Sequence, residues 1–261
     1  MAPRHEVVDW YDLPLYYDIV FTEDTRKEGE FLEAVAGLFG GTAGRRALEP
    51  ACGSGRLLAE MARRGWQARG FDLNPSMLRF AAGRRREHGL DYRLSAGRMQ
   101  DFRTRERFDL AYNLVSTFKY LLTEREARAH LECVAAALKP GGVFVLGYHL
   151  TDYATRSRTR ERWVGERNGV KVTSNLQIWP ADPRRRLEKV RTRLLVEDAD
   201  GPRRYETCWD FRTYDAAQTR RLLAAVPALQ HLATYDFTYD LNSDRPLDDL
   251  QLDTVLVLRR V

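Results

Sequence analysis

This sequence predicts an α/β fold: a doubly wound sheet of seven strands, closed by a terminal antiparallel pair, with a small antiparallel β insert. Three observations support it. Between residues 45 and 150, five short apolar runs alternate with amphipathic stretches, the pattern of a parallel sheet covered on both faces. The first run breaks into a small, glycine-rich turn, Ala51-Cys52-Gly53-Ser54-Gly55, that opens a helix. Two strand-like runs end the chain with no helical pattern between them, so they must pair antiparallel.

The elements follow in order. An aromatic stretch, residues 9–24 with Trp10, Tyr11, Tyr16, Tyr17 and Phe21, precedes a helix from about Arg26 to Phe39. Strands are expected at 45–49, 67–71, 91–95, 108–113 and 142–147, and helices at 55–64, 75–87 and 123–137. Leu57, Leu58 and Met61 give the first of these helices one apolar face. Asn74-Pro75-Ser76 starts the second, with Asn74 as its cap. Leu138-Lys139-Pro140-Gly141-Gly142 stops the third. Beyond Leu150, strand-like runs at 162–180, 186–198 and 202–214, with turns at Asn168-Gly169, Ala181-Asp182-Pro183 and Asp200-Gly201-Pro202, predict a three-stranded antiparallel insert with one wet face. A helix at 215–225 leads to strands at 229–240 and 252–260, joined by the polar loop Asn242–Asp249. The chain thus divides into an N-terminal segment (1–44), a main domain (45–150 and 215–261) and an insert (151–214).

No apolar run exceeds strand length, so no segment reads as a membrane span. The opening MAPRHEVVDW lacks the apolar core of a signal peptide. Three widely spaced cysteines predict neither a metal site nor a disulfide framework. The cytoplasm is the expected location. Net charge is +5, but only five of the 42 basic residues are Lys, and 37 acidic residues are interspersed. Arginine enrichment of that kind follows from a GC-rich genome, and it disfavours a nucleic-acid partner. Arg84–Arg86, Arg156–Arg162 and Arg184–Arg186 read as solvated faces.

Glycines at a strand-to-helix turn let a ligand approach the backbone, and the helix start offers unpaired N–H groups. Glu49 closes the strand before the turn, and Asp72 ends the next strand, where a carboxylate can accept both hydroxyls of a ribose. A ligand-free tight turn is the plainer alternative. A dinucleotide fingerprint would need a third glycine where this chain has Leu58, and the Gly-Lys-Ser/Thr of a phosphate loop is absent. What remains is acidic-x-small-x-Gly-x-Gly with an acidic end to the following strand. It resembles the S-adenosylmethionine site of the class I methyltransferases, whose Rossmann-like fold has the element order read above. The likeness covers about 45–150 and 215–260. The insert, the aromatic segment and its Tyr17-Asp18-x-x-Phe21 element resemble small-molecule N-methyltransferases, including amino-sugar dimethyltransferases.

The resemblance implies roles. Glu49 would orient the methionine ammonium of the cofactor, and Ala51, Cys52, Gly53 and Gly55 would pass beneath it, with Tyr17 above. Ala51 stands where glycine is commonest. Asp72 would bind the ribose, Leu73 and Met77 would pack on the adenosine, and Met99 would lid the adenine. Arg98 replaces the family's usual Asp and cannot accept a hydrogen bond, so Asp101, a backbone carbonyl or water would meet the adenine amine. Asn113, at the fourth strand's carboxyl end, would lie nearest the methionine moiety. His149 is the best-placed base, with Tyr148 beside it, though a structural imidazole is an equal reading. Tyr17, Phe118, Tyr120, Tyr148 and Tyr153 would cage an ammonium-like acceptor.

The expected reaction is methyl transfer to a small molecule, at an amine nitrogen in preference to a hydroxyl, leaving S-adenosylhomocysteine. The absence of Asp/Asn-Pro-Pro-Tyr/Phe after Asn113 counts against a nucleobase amine. An RNA methyltransferase and a non-catalytic binder of the cofactor are the rivals. A homodimer paired through the insert strands is left open.

Overall fold

The computed structural model describes residues 5–261. Its N-terminal part runs through β1 (Glu6–Val7), α1 (Pro14–Phe21), α2 (Thr25–Phe39), β2 (Arg46–Pro50), α3 (Arg56–Arg63), β3 (Gln67–Asp72) and α4 (Pro75–Glu87). β4 (Tyr92–Ala96), β5 (Phe108–Asn113), α5 (Glu124–Ala137) and β6 (Leu138–His149) complete the alternating region. There follow β7 (Thr159–Arg167), β8 (Val170–Ile178), β9 (Leu187–Glu197), β10 (Arg203–Arg212), α6 (Ala216–Ala224), β11 (Leu229–Tyr235) and β12 (Asp253–Arg260).

The larger sheet has the order β4-β3-β2-β5-β6-β12-β11. Its first five strands are parallel, and β12 lies antiparallel between β6 and β11. Helices cover both faces, which is why every residue of β5 is buried. On one face Leu48, Ala111, Phe144 and Leu146 pack under Leu131, Val134 and Leu222 of α5 and α6. On the other, Ala47, Leu110, Tyr112 and Val145 meet Leu32, Leu57, Leu58 and Met61 of α2 and α3. The helix starts are set locally. The Asn74 side chain accepts from the Ser76 and Met77 amides, and capping boxes close α5 (Thr123, Glu126) and α6 (Asp215, Gln218).

The insert departs from its expected form. It has four antiparallel strands, β7 to β10, and β1 adds a fifth along the β10 edge. The run at 162–180 is a hairpin of two strands, turned as expected by Asn168 (φ 51°) and Gly169 (φ 77°), the left-handed pair that suits strand twist, and this adds one strand to the expected three. β11 stops at Tyr235 instead of reaching 240, because Asp236 accepts from the Thr238 amide and turns the chain. β6 begins at Leu138 rather than 142. Phe108 pairs with Leu138 and Leu110 with Val143, so 139–142 bulge out where Gly141 adopts φ 80°. The aromatic segment forms α1, and its side chains join the insert: Trp10 stacks on Trp209 at 5.5 Å and 19°. Two arginine runs are partly structural. Arg84 bridges to Asp18 at 2.5 Å, and Arg186 bonds Glu124 at 2.9 Å.

Candidate active site

The carboxyl ends of β2, β3 and β5 meet at one crevice, where open α/β sheets bind ligands. The turn after β2 carries Ala51, Gly53 and Gly55 at φ 53°, 52° and 70°. A side chain at Gly55 would strike Ala81 of α4, with Cβ atoms 2.8 Å apart. At Gly53 a Cβ would meet only Tyr17, 3.9 Å away, so the backbone there faces open space.

The acidic groups of this crevice are partly unmet. Asp72 accepts from the Gly53 and Asn74 amides, both at 2.8 Å, leaving lone pairs on each oxygen. Burial pushes its carboxyl up against the pull of those amides. Asn74, not Asp72, is the cap of α4. Glu49 Oε2 is buried with no partner, and burial holds its carboxyl well above the usual range despite the nearby Arg56. Asn113 gives its Nδ2 to the Pro50 carbonyl at 2.9 Å and leaves Oδ1 buried and unpaired. The guanidinium of Arg56 is committed to Glu28 and Thr25. The crevice therefore presents unmet acceptors, which a group that donates hydrogen bonds would satisfy. A ligand with a diol and an ammonium fits these residues; a diphosphate would set negative charge against Glu49 and Asp72.

Beyond Asp72 lies a groove of about 530 Å³, lined by Leu73, Gly97, Arg98, Met99 and Gln100. The backbone carbonyl of Met99 is held by His130 Nδ1 at 3.0 Å. Two expected contacts fall elsewhere. Met77 is fully buried and lines no part of the groove, because its position on α4 points it inward. Asp101 is exposed and outside the lining. Leu73, Met99 and Arg98 line the groove, while Cys52 is buried beneath the turn and also borders the crevice below Glu49.

A cavity of about 490 Å³ lies between the two sheets. Tyr17 lines this cavity, the crevice and the groove, so the three meet at its ring. Tyr11 bonds Tyr120 at 2.7 Å across the same boundary, and burial pushes all three phenols up. Val115, at φ 57°, lines both crevice and cavity. A β-branched residue in that region is strained, by about 1–3 kcal/mol. Ser116 follows at φ 59° and accepts from the His149 amide at 3.2 Å, tying this turn to the end of β6.

His149 lines the cavity, with Nδ1 2.7 Å from Asp253 Oδ1 at the start of β12. That contact leaves Nε2 free for a proton. Tyr148 is a correction: strand alternation turns it into the core, where its hydroxyl donates to Thr219 at 2.8 Å. Phe118 packs beside it, and Tyr153 bonds Thr213 and Gln218, so neither lines the cavity. Of the expected cage, Tyr17 and Tyr120 remain, joined by Trp10, Phe21, Trp163 and Trp209.

Sequence reading gave no role to Lys119, Glu188, Glu161 or Asp253, and took Asp18 only as part of the Tyr17-Asp18-x-x-Phe21 element. Lys119 and Glu188 form a buried pair at 2.6 Å in the cavity wall. Glu161 and Asp253 line the cavity, and alternation with Trp163 on β7 was the available signal for Glu161. Asp18, wholly buried, receives Ser54 at 2.6 Å, Arg84 at 2.5 Å and Arg167 at 2.6 Å, joining α1 to the turn, α4 and β7. Burial opposes its ionisation, but the two arginines and Ser54 prevail and hold the carboxyl low.

Residues 47–142 match a family model described as a methyltransferase domain. A putative methyltransferase of Geobacillus sp. (strain WCH70) is 26% identical over 113 residues, 43% of this chain and 46% of that protein. The chain thus spans about half the length of the curated relative it matches. A S-adenosylmethionine-dependent methyltransferase from Clostridium acetobutylicum superposes with a TM-score of 0.76 at 18% identity, over 94% of this chain and 96% of that one. A sugar N-methyltransferase from Streptoalloteichus sp. superposes at 0.73 with 21% identity, over 100% and 96%. The chain has the class I methyltransferase fold, and its segment 47–142 matches the methyltransferase-domain model.

Proposed function

We propose that this protein is a S-adenosylmethionine-dependent methyltransferase acting on an amine nitrogen of a small molecule. The buried, unpartnered Glu49 Oε2 and Asn113 Oδ1 carry the reading. They sit one step from Asp72 in a crevice that asks for a cation and a diol, which S-adenosylmethionine supplies together with an activated methyl group. In this reading Glu49 and Asn113 hold the ammonium, Asp72 the ribose, and Leu73 and Met99 the adenosine. The turn 51–55 runs beneath them. Tyr17 and Val115 orient the methyl-bearing end toward the cavity and exclude water. The insert 151–214 and the N-terminal segment roof the acceptor.

His149 is the proton acceptor in this proposal, with Asp253 holding its imidazole. The aromatic cavity supports a small acceptor over a nucleic acid, since Lys119 and His149 are its basic side chains and both have acidic partners. No described helix is long and apolar enough to cross a membrane. The three unpaired cysteines fit a cytoplasmic enzyme.

The test is calorimetric titration of S-adenosylhomocysteine, with NADH and ATP as controls, then methyl-labelled transfer to matched amines and alcohols. Selective micromolar binding and labelled amines are expected. Binding without transfer to any acceptor would leave a non-catalytic binder. Absence of binding would sink the reading.

A further inference from the structure

We propose that the acceptor held in the cavity is an organic cation, an amine protonated in water on an apolar body, and that Glu161 selects it. This rests on the methyltransferase reading and names the substrate class of the same cavity. Carboxylates line it at Asp152, Glu161, Glu188 and Asp253, against basic groups at Lys119 and His149. Most of these carboxylates already have a hydrogen-bond partner. Glu188 holds Lys119, Asp253 holds His149, and Asp152 accepts from the Ala154 amide at 2.8 Å and from Thr155 at 2.9 Å. Glu161 is different: it has no hydrogen bond or ion pair among the described residues, while it lines the cavity. Burial pushes its carboxyl up, partly offset by His149 and Lys119 and reinforced by Asp253.

A carboxylate left without a partner in a partly buried wall gains when a cation arrives. The rings around it offer electron-rich faces to the same cation: Trp10, Tyr17, Phe21, Trp163 and Trp209. These walls account for an apolar body on the ligand. They also disfavour an acceptor carried on a phosphate or diphosphate, for no basic side chain in the lining is left to meet one. Arg158 and Arg191 lie over Trp179 at 5.1 and 5.3 Å, outside the lining. Glu161 binds the ammonium form, and the proton that the nitrogen must shed passes to His149 Nε2, which exposes the lone pair.

The experiment uses the whole 261-residue chain saturated with S-adenosylhomocysteine. Phenethylamine, cyclohexylmethylamine, their neutral N-acetyl derivatives and a nucleoside-diphosphate amino sugar are titrated by calorimetry and tryptophan fluorescence. Four of the five tryptophans line the cavity, so occupancy reads out without turnover. The free amines should bind at least about tenfold more tightly than their acetylated partners, the expected worth of one charge-assisted contact. Glu161→Gln should remove most of that preference and leave S-adenosylhomocysteine affinity unchanged, whereas Glu161→Asp should retain it. Equal affinity for amine and amide, no binding of either amine, tighter binding of the diphosphate sugar, or a preference that survives Glu161→Gln would each overturn the proposal. Failure of S-adenosylhomocysteine itself to bind would instead condemn the methyltransferase reading.

Discussion

The crevice at the ends of β2, β3 and β5 and the cavity above it share Tyr17 yet are built differently. The crevice draws its polar groups from three strand ends and one turn, and much of its surface is backbone. Its acceptors are left unmet. The cavity takes side chains from the N-terminal segment, the β5–α5 connection, all four antiparallel insert strands and the start of β12, and most of its carboxylates have a hydrogen-bond partner. A common cofactor requires a fixed backbone cradle, whereas an acceptor is read by side chains that surface segments bring together. The two halves should therefore fail separately, except at a buried residue that anchors α1 to both.

That residue is Asp18. Asp18→Ala strands Arg84 and Arg167 and frees Ser54, and should cost about 4 kcal/mol in urea unfolding, as breaking a buried pair does. It should also weaken both S-adenosylhomocysteine and acceptor binding. Loss of only one would mean that the halves are not coupled through α1.

Acid acts on the cofactor side. Burial lowers His130 to about 4 while its Nδ1 supports the Met99 carbonyl. Below the unfolded pKa of about 6.5 the unfolded chain takes up a proton that the folded chain refuses. Stability is thus whole above that value and falls as pH drops from about 6.5 toward 4, by up to about 3 kcal/mol. His130→Gln should flatten this part of the pH–stability curve; an unchanged slope would place the acid sensitivity elsewhere.

Asp72→Ala separates the halves most directly. It should weaken S-adenosylhomocysteine by about 2 kcal/mol, roughly 30-fold, through lost charge-assisted hydrogen bonds. Quenching of the cavity tryptophans by an amine should be unaffected in the apo protein. The smallest effect is a gain. Ala51 pays for a left-handed conformation that glycine adopts freely, so Ala51→Gly should stabilise the fold by about 1 kcal/mol. A destabilised variant would show that the Ala51 methyl packs on something that matters more.

The parts legible in the sequence are those whose signal is local. The alternation from 45 to 150, the Asn74 cap and the spacing of Glu49, the glycine turn and Asp72 follow from dihedral preference, capping and strand ends, and they placed the crevice. Some local signals were read only in part. Asn168-Gly169 marked a turn, yet the strand count fell one short, and nothing in Glu6–Val7 announces an edge strand supplied from far away in sequence.

The same division holds at the site. Sequence alone determined the fold class and the strand-end crevice of Glu49 and the glycine turn, because strand periodicity and turn chemistry are written in neighbouring residues; His149, expected at the mouth of that cleft, lines the adjoining cavity. Tertiary structure decided which aromatic residues face the cavity and which fill the core: Tyr148 and His149 are adjacent, yet one bonds Thr219 and the other Asp253. It also decided the partners of Asp18 and Lys119, and left Glu161 without one among the described residues. Those depend on how the insert packs over the sheet, an association between segments some hundred residues apart in the chain, and no local preference encodes it.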